Sequence, residues 1–87
     1  MSSFEKLIER FLYEQDNISA GDVRGLLHDG FDYEEHRSPG SHLVFRKKGK
    51  LPIIVPTVKG RNIKKRYIKK IVNILNLEEY IEDSERD

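Results

Sequence analysis

Residues 31–56 read FDYEEHRSPGSHLVFRKKGKLPIIVP, and the division of this stretch decides the fold. Ser38-Pro39-Gly40 and Lys48-Gly49-Lys50 are turn sequences, because proline presets one backbone angle and glycine admits the angles a reversal needs. They leave three extended runs, 31–37, 41–47 and 51–56. Alternation puts Phe31 and Tyr33 on one face of the first run. In the second it puts Leu43 and Phe45 on one face and His42, Val44 and Arg46 on the other. Short runs joined by tight turns predict a three-stranded antiparallel meander with one face covered. Pro52 and Pro56 confine the third run to a sheet edge or its ends, since proline has no N–H for a ladder.

Helical spacing flanks this stretch on both sides. Upstream, Ser19 is an N-cap with Asp22 three residues on, and Ile18 can staple against Val23. Val23, Leu26 and Leu27 form a buried stripe, and Gly30 reads as the residue that stops the helix. Phe4, Leu7, Ile8, Phe11 and Leu12 predict an amphipathic helix over 3–14 with Ser3 at its cap, followed by the polar break Gln15-Asp16-Asn17. Downstream, a helix over 62–76 carries Ile63, Tyr67, Ile68, Ile71, Ile74 and Leu75 on its apolar face. Lys64, Lys65, Arg66, Lys69 and Lys70 cover the rest. Residues 77–87 are acidic, with Tyr80 and Ile81 docking before the end frays. The expectation is one α+β domain in the order α-α-β-β-β-α, with helices on one face of the sheet.

Composition narrows the class. Eighty-seven residues, 37% hydrophobic and 36% charged, suit a single domain with a heavily charged surface. Without cysteine there is no disulfide framework and no thiolate metal site. The first residues lack the pattern of a signal peptide, and no apolar run approaches a membrane span, so a cytoplasmic protein is expected. The net charge of +1 conceals a segregation. Residues 37–70 hold twelve Lys or Arg and no Asp or Glu, while residues 1–36 hold nine acids against three bases and residues 71–87 six against one. A run this one-signed, spread over strand and helix positions, calls for a polyanion.

The ordered motifs resemble those of the HicA toxins, the ribonuclease half of a prokaryotic toxin–antitoxin pair. Leu26-Leu27 with Gly30-Phe31 is similar to that family's helix end and strand start. Gly40-Ser41-His42 with Phe45-Arg46 resembles its Gly-Ser-His motif. Ile54-Val55-Pro56 with Lys59-Gly60 resembles its third strand and outgoing loop. Ile63-Lys64-Lys65 with Tyr67-Ile68-Lys69-Lys70-Ile71 resembles its last helix, and Leu77-Glu78-Glu79 its closing residues. The resemblance implies an α-β-β-β-α fold like that of double-stranded-RNA-binding domains, spanning 18–79. A helical extension at 1–17 precedes it and an acidic tail at 80–87 follows. It also implies metal-independent cleavage of mRNA with His42 catalytic, no cofactor, and a HicB-type antitoxin as partner. Two departures stand out. Many members carry a second histidine where this chain has Leu43, and minimal members lack the first helix, which here offers a surface for a homodimer or another partner.

The chemistry of the residues is compatible with that activity. An imidazole titrates near ~6.5 and exchanges protons at cellular pH. RNA supplies its own nucleophile, the 2′-OH, so a general base and cations to hold the phosphorane are enough. Arg46, Lys47 and Lys48 are candidate phosphate ligands, Gly40 admits close approach of a phosphate, and Ser41 orients it. Lys59, Arg61, Lys64, Lys65 and Lys69 are candidate RNA-backbone contacts, with Arg61, Lys64, Lys65 and Lys69 on one helical face. Cations in a helix's first turns oppose its dipole unless phosphates dock there. Without the resemblance, a strand histidine on a solvated face is the plainer reading of His42; with it, catalysis is. His28 and His36 read as surface residues, and three scattered histidines suggest no metal site. Two alternatives stay open: a non-catalytic RNA-binding module of the same fold, and a protein whose basic face binds an acidic partner.

Overall fold

The computed structural model describes residues 3–37 and 41–80. Helix α1, Ser3–Tyr13, turns Ile8 and Phe11 fully inward and packs Phe4, Leu7 and Leu12 beside them. Each large side chain so buried contributes roughly 1.5–3 kcal/mol. The apolar face of α1 is therefore used within the chain's own core, and α1 is part of the body rather than an appendage. A short 3-10 turn, Gln15–Asn17, leads to α2, Ala20–Arg24, which continues as a π-helical segment, Gly25–Gly30. Ser19 caps α2 with a full capping box: its hydroxyl accepts from the Asp22 N–H at 3.1 Å, and the Asp22 carboxylate accepts from the Ser19 N–H at 2.9 Å. Ile18 and Val23, the expected staple, are both buried.

Gly30 departs from expectation. It takes no left-handed angle; Asp32, two residues on, does, at φ 61°. Gly30 is small because a Cβ there would collide with the Phe4 ring. The Tyr33 N–H then reaches back to the Leu27 carbonyl at 2.8 Å. Residues 31–33 thus finish the helix instead of opening the ladder, and the first strand starts three residues later than the alternation suggested.

The sheet is β1 (Glu34–Arg37), β2 (His42–Arg46) and β3 (Ile53–Pro56), antiparallel throughout and ordered β1-β2-β3. The turn 38–40, including Gly40, lies outside the described residues. Glu35 pairs with Phe45 and Phe45 with Ile53; His36 pairs with Val44 and Val44 with Ile54. Phe45, Ile53 and Val55 face inward and join Ile8, Phe11, Leu26, Leu27, Ile68 and Ile71 in one core. Glu34, His36, His42, Arg46 and Ile54 face solvent on the other side. β3 is the edge strand its prolines required. The Thr57 N–H bonds the Ser41 carbonyl at 2.6 Å, which makes His42 and Pro56 a non-hydrogen-bonded pair. The missing N–H of Pro56 therefore points to the open edge and costs no ladder bond.

Helix α3 spans Lys65–Leu75, shorter at its start than the 62–76 that periodicity predicts. The Ile63 N–H donates to the Ile18 carbonyl at 2.8 Å and the Asn62 side chain to the Asp16 carbonyl at 3.2 Å, so 62–64 are committed to the loop before α2. Ile68, Ile71 and Val72 are the buried residues of α3. Ile74, expected inside, is 52% exposed, because at 3.6 residues per turn it lies about 110° round the helix from the centre of that stripe. Asn76 ends the helix in the left-handed conformation, φ 52°. One more turn over 77–80 buries Leu77 and sets the Tyr80 ring edge-on to Phe31, centroids 5.5 Å apart. Ile81 lies outside the described residues. Among the described residues, no helix is long and apolar enough to cross a membrane.

Candidate nucleic-acid interface

His42 opens β2 on the outer, solvent-exposed face of the sheet, as the alternation around Phe45 required. Two bonds anchor the backbone beside it: the Ser41 carbonyl accepts from the N–H of Thr57 and from its hydroxyl, the latter at 2.9 Å. Thr57 is a positioning residue that patterning alone missed. The residue after an edge proline is the first able to close the ladder, and that is its signal in the sequence. Across β2, Pro56 stands opposite His42 and shares its face.

The same bonds decide which cations lie near His42. The loop 57–64 leaves β3 at the Ser41 end of the sheet and ties back to residues 16–18 through Asn62 and Ile63. It starts beside Ser41 and carries Lys59, Arg61 and Lys64, all exposed. Gly60, at φ 75°, permits the turn in which the Arg61 N–H bonds the Val58 carbonyl at 3.0 Å. Lys64 forms the N-cap of α3 without a side-chain cap bond, and no acid occupies the first turn. Lys65, the first residue of α3, borders the segment 12–17 with Glu14 and Asp16.

The candidates on β2 are arranged differently from expectation. Arg46 shares the outer face with His42, four residues away, which is ~13 Å along a strand. Lys48 is exposed in the turn beyond it, ~20 Å from His42 on the same spacing. Lys47 points the other way: its ammonium donates to the Phe31 carbonyl at 2.7 Å and lies 5.6 Å from the Tyr33 ring centroid. Its role is to hold 31–33 against the sheet. Lys69 is exposed one turn into α3, as are Arg66 and Lys70, and Lys70 borders a cleft with Ile53, Ile54 and Val55 of β3. Arg61 and Lys64 precede the helix and so do not share a helical face with Lys65 and Lys69. The described cations thus divide: Lys47 is engaged with Phe31, Arg46 shares the face of His42, and Lys59, Arg61 and Lys64 follow on the loop that starts beside Ser41.

Behind the loop, Arg10 and Asp22 brace its landing point. The Arg10 guanidinium meets both Asp22 oxygens at 3.1 Å and also donates to the Asn17 carbonyl at 2.8 Å. Partial burial alone would raise the Asp22 carboxyl. The Ser19 N–H, the Arg10 guanidinium and the Ser19 hydroxyl outweigh it and hold the group below its ordinary value of 3.8. Among the described residues no three His, Cys, Asp or Glu side chains converge as metal ligands. Compared with models of known protein families, with curated proteins and with solved structures, the chain finds no match.

Proposed function

We propose that this chain is a HicA-like endoribonuclease, the toxin half of a type II toxin–antitoxin pair, which cleaves mRNA without a metal ion. What supports the reading is an exposed His42 imidazole at the end of the sheet from which the loop carrying Lys59, Arg61 and Lys64 departs. His42 takes the proton of an RNA 2′-OH, the freed oxygen attacks the adjacent phosphorus, and the cations hold the charge that builds on the phosphorane. Arg46 meets a phosphate farther along the strand. The α+β architecture, with helices on one face of a three-stranded antiparallel sheet, supports a likeness to double-stranded-RNA-binding domains. A HicB-type antitoxin in the cytoplasm would cover the basic end of the molecule.

The test is cleavage of labelled RNA in the presence of a chelator by wild type and His42→Ala. The expected loss is roughly 10²–10⁴-fold, with RNA affinity retained. Equal cleavage by the two proteins would overturn the enzyme reading.

One observation favours the non-catalytic alternative: no hydrogen bond to another described residue orients the His42 ring. In that case RNA binds to wild type and mutant alike and is cut by neither. A salt titration separates both from an acidic protein partner, because affinity for single-stranded RNA falls with a log–log slope of about −0.7 per phosphate contacted.

A further inference from the structure

His36 and His42 stand on opposite sides of a turn, and nothing in their spacing joins them. The strand register does. His36 lies directly opposite Val44. Directly opposed residues share a face, and so do alternate residues on one strand, so His36, Val44 and His42 project from the same outer surface. The two histidines occupy diagonal positions across β1 and β2, where backbone positions are ~7–8 Å apart. Both are exposed. The third member of the group is Glu34, two residues before His36 on the same face, with Oε2 3.6 Å from His36 Nε2.

A single imidazole leaves the proposed reaction half equipped. Displacement at phosphorus is in line, so the entering and leaving oxygens sit on opposite sides of the phosphorus atom. One group cannot both accept the proton of the first and donate to the second. Two imidazoles flanking a phosphate can.

Resting on the ribonuclease reading, we infer that His36 is the general acid of the site and His42 its base. Neutral His42 removes the 2′-OH proton as the 2′-O–P bond forms. The P–O5′ bond breaks, and protonated His36 gives its proton to the departing 5′-oxygen. The products are a 2′,3′-cyclic phosphate and a free 5′-OH. Each histidine ends in the protonation state in which the other began, and exchange with water resets the pair. Glu34, with Oε2 3.6 Å from Nε2, adds a negative charge on that side of the His36 ring, and Nδ1 is the nitrogen that serves the leaving oxygen. His36 thereby fills the role that a second histidine at position 43 could not. Leu43 pairs with Val55 and Arg37 and lies on the opposite, inward side of the sheet.

The experiment compares two substrates, a short RNA and uridine 3′-(4-nitrophenyl phosphate), whose nitrophenolate departs without a proton. His36→Ala is expected to slow RNA cleavage by roughly 10²–10⁴-fold, yet leave the nitrophenyl ester within about threefold of wild type. His42→Ala is expected to slow both. Full RNA cleavage by His36→Ala, or equal losses on the two substrates, would overturn the role of His36 while leaving the His42 reading intact. If wild type cleaves neither substrate in a His42-dependent way, the ribonuclease reading falls and takes this one with it. His36→Gln, run in parallel with thermal melting, checks that any loss comes from the proton and not from the fold.

Discussion

Pro56 stands directly across from His42 in the β2–β3 ladder, with its nitrogen turned to the open edge of the sheet. Neither side chain is part of the buried core. His42→Ala is therefore expected to leave unfolding free energy within about 0.5 kcal/mol of wild type in a urea titration. Pro56→Val should also fold, but it adds an N–H to an exposed edge that carries Ile54. Light scattering should then report self-association that wild type does not show.

The Arg10–Asp22 pair links acid stability to the site. The Asp22 carboxyl is held below 3.8 in the folded chain, so its contribution is complete above that value and is lost as pH falls through the depressed folded value. Asp22→Asn should cost roughly 1–2 kcal/mol at neutral pH and flatten the decline of stability with acid. Melting temperatures followed from pH 6 down to about pH 2.5 check the sign. A steeper acid decline in the mutant would contradict it.

Gly30 should not accept a side chain while Phe4 keeps its place. Gly30→Ala forces the Phe4 ring out of its contact with Phe31, centroids 5.8 Å apart, and is expected to cost about 1–3 kcal/mol. Phe4→Ala alone loses packing, but in its presence Gly30→Ala should add little. Chemical denaturation of the four proteins in a double-mutant cycle measures that coupling.

Lys47 and Lys59 look alike in sequence and should behave differently. Lys47→Met leaves the Phe31 carbonyl without its donor and should lower stability by roughly 1–2 kcal/mol, with little change in the salt dependence of RNA binding. Lys59→Ala and Arg61→Ala should leave stability unchanged and reduce the log–log salt slope by about 0.7 each. Fluorescence anisotropy across a salt series, paired with melting curves, separates the two behaviours.

The elements were legible where one local force dominates. The meander, the edge position of β3, the Ser19 capping box and the outward direction of His42 all follow from alternation, proline chemistry and a short-range hydrogen bond. The misreadings at Gly30 and at the start of α3 share one cause, contacts distant in sequence. The Ile63 N–H belongs to Ile18, so α3 starts late; Phe4 reaches Gly30, so that glycine is small for packing and not for its backbone angle. Charge patterning found the basic run but not its division. Whether Lys47 faces RNA or Phe31, and whether Lys69 sits beside Lys59, depends on strand parity and helix phase that composition does not carry. The pairing of His36 with His42 is hidden for the same reason, since it exists only once β1 and β2 are in register.

The sheet keeps its two sides for different purposes. The strand residues of the core, Phe45, Ile53 and Val55, point inward, and positions 34, 36, 42, 46 and 54 are exposed on the other side. A lineage could exchange, retune or erase the chemistry of that surface and still inherit the same well-folded molecule. Screens for expression or solubility would pass such descendants unnoticed, so only an assay of the surface itself can tell a working copy from a silent one.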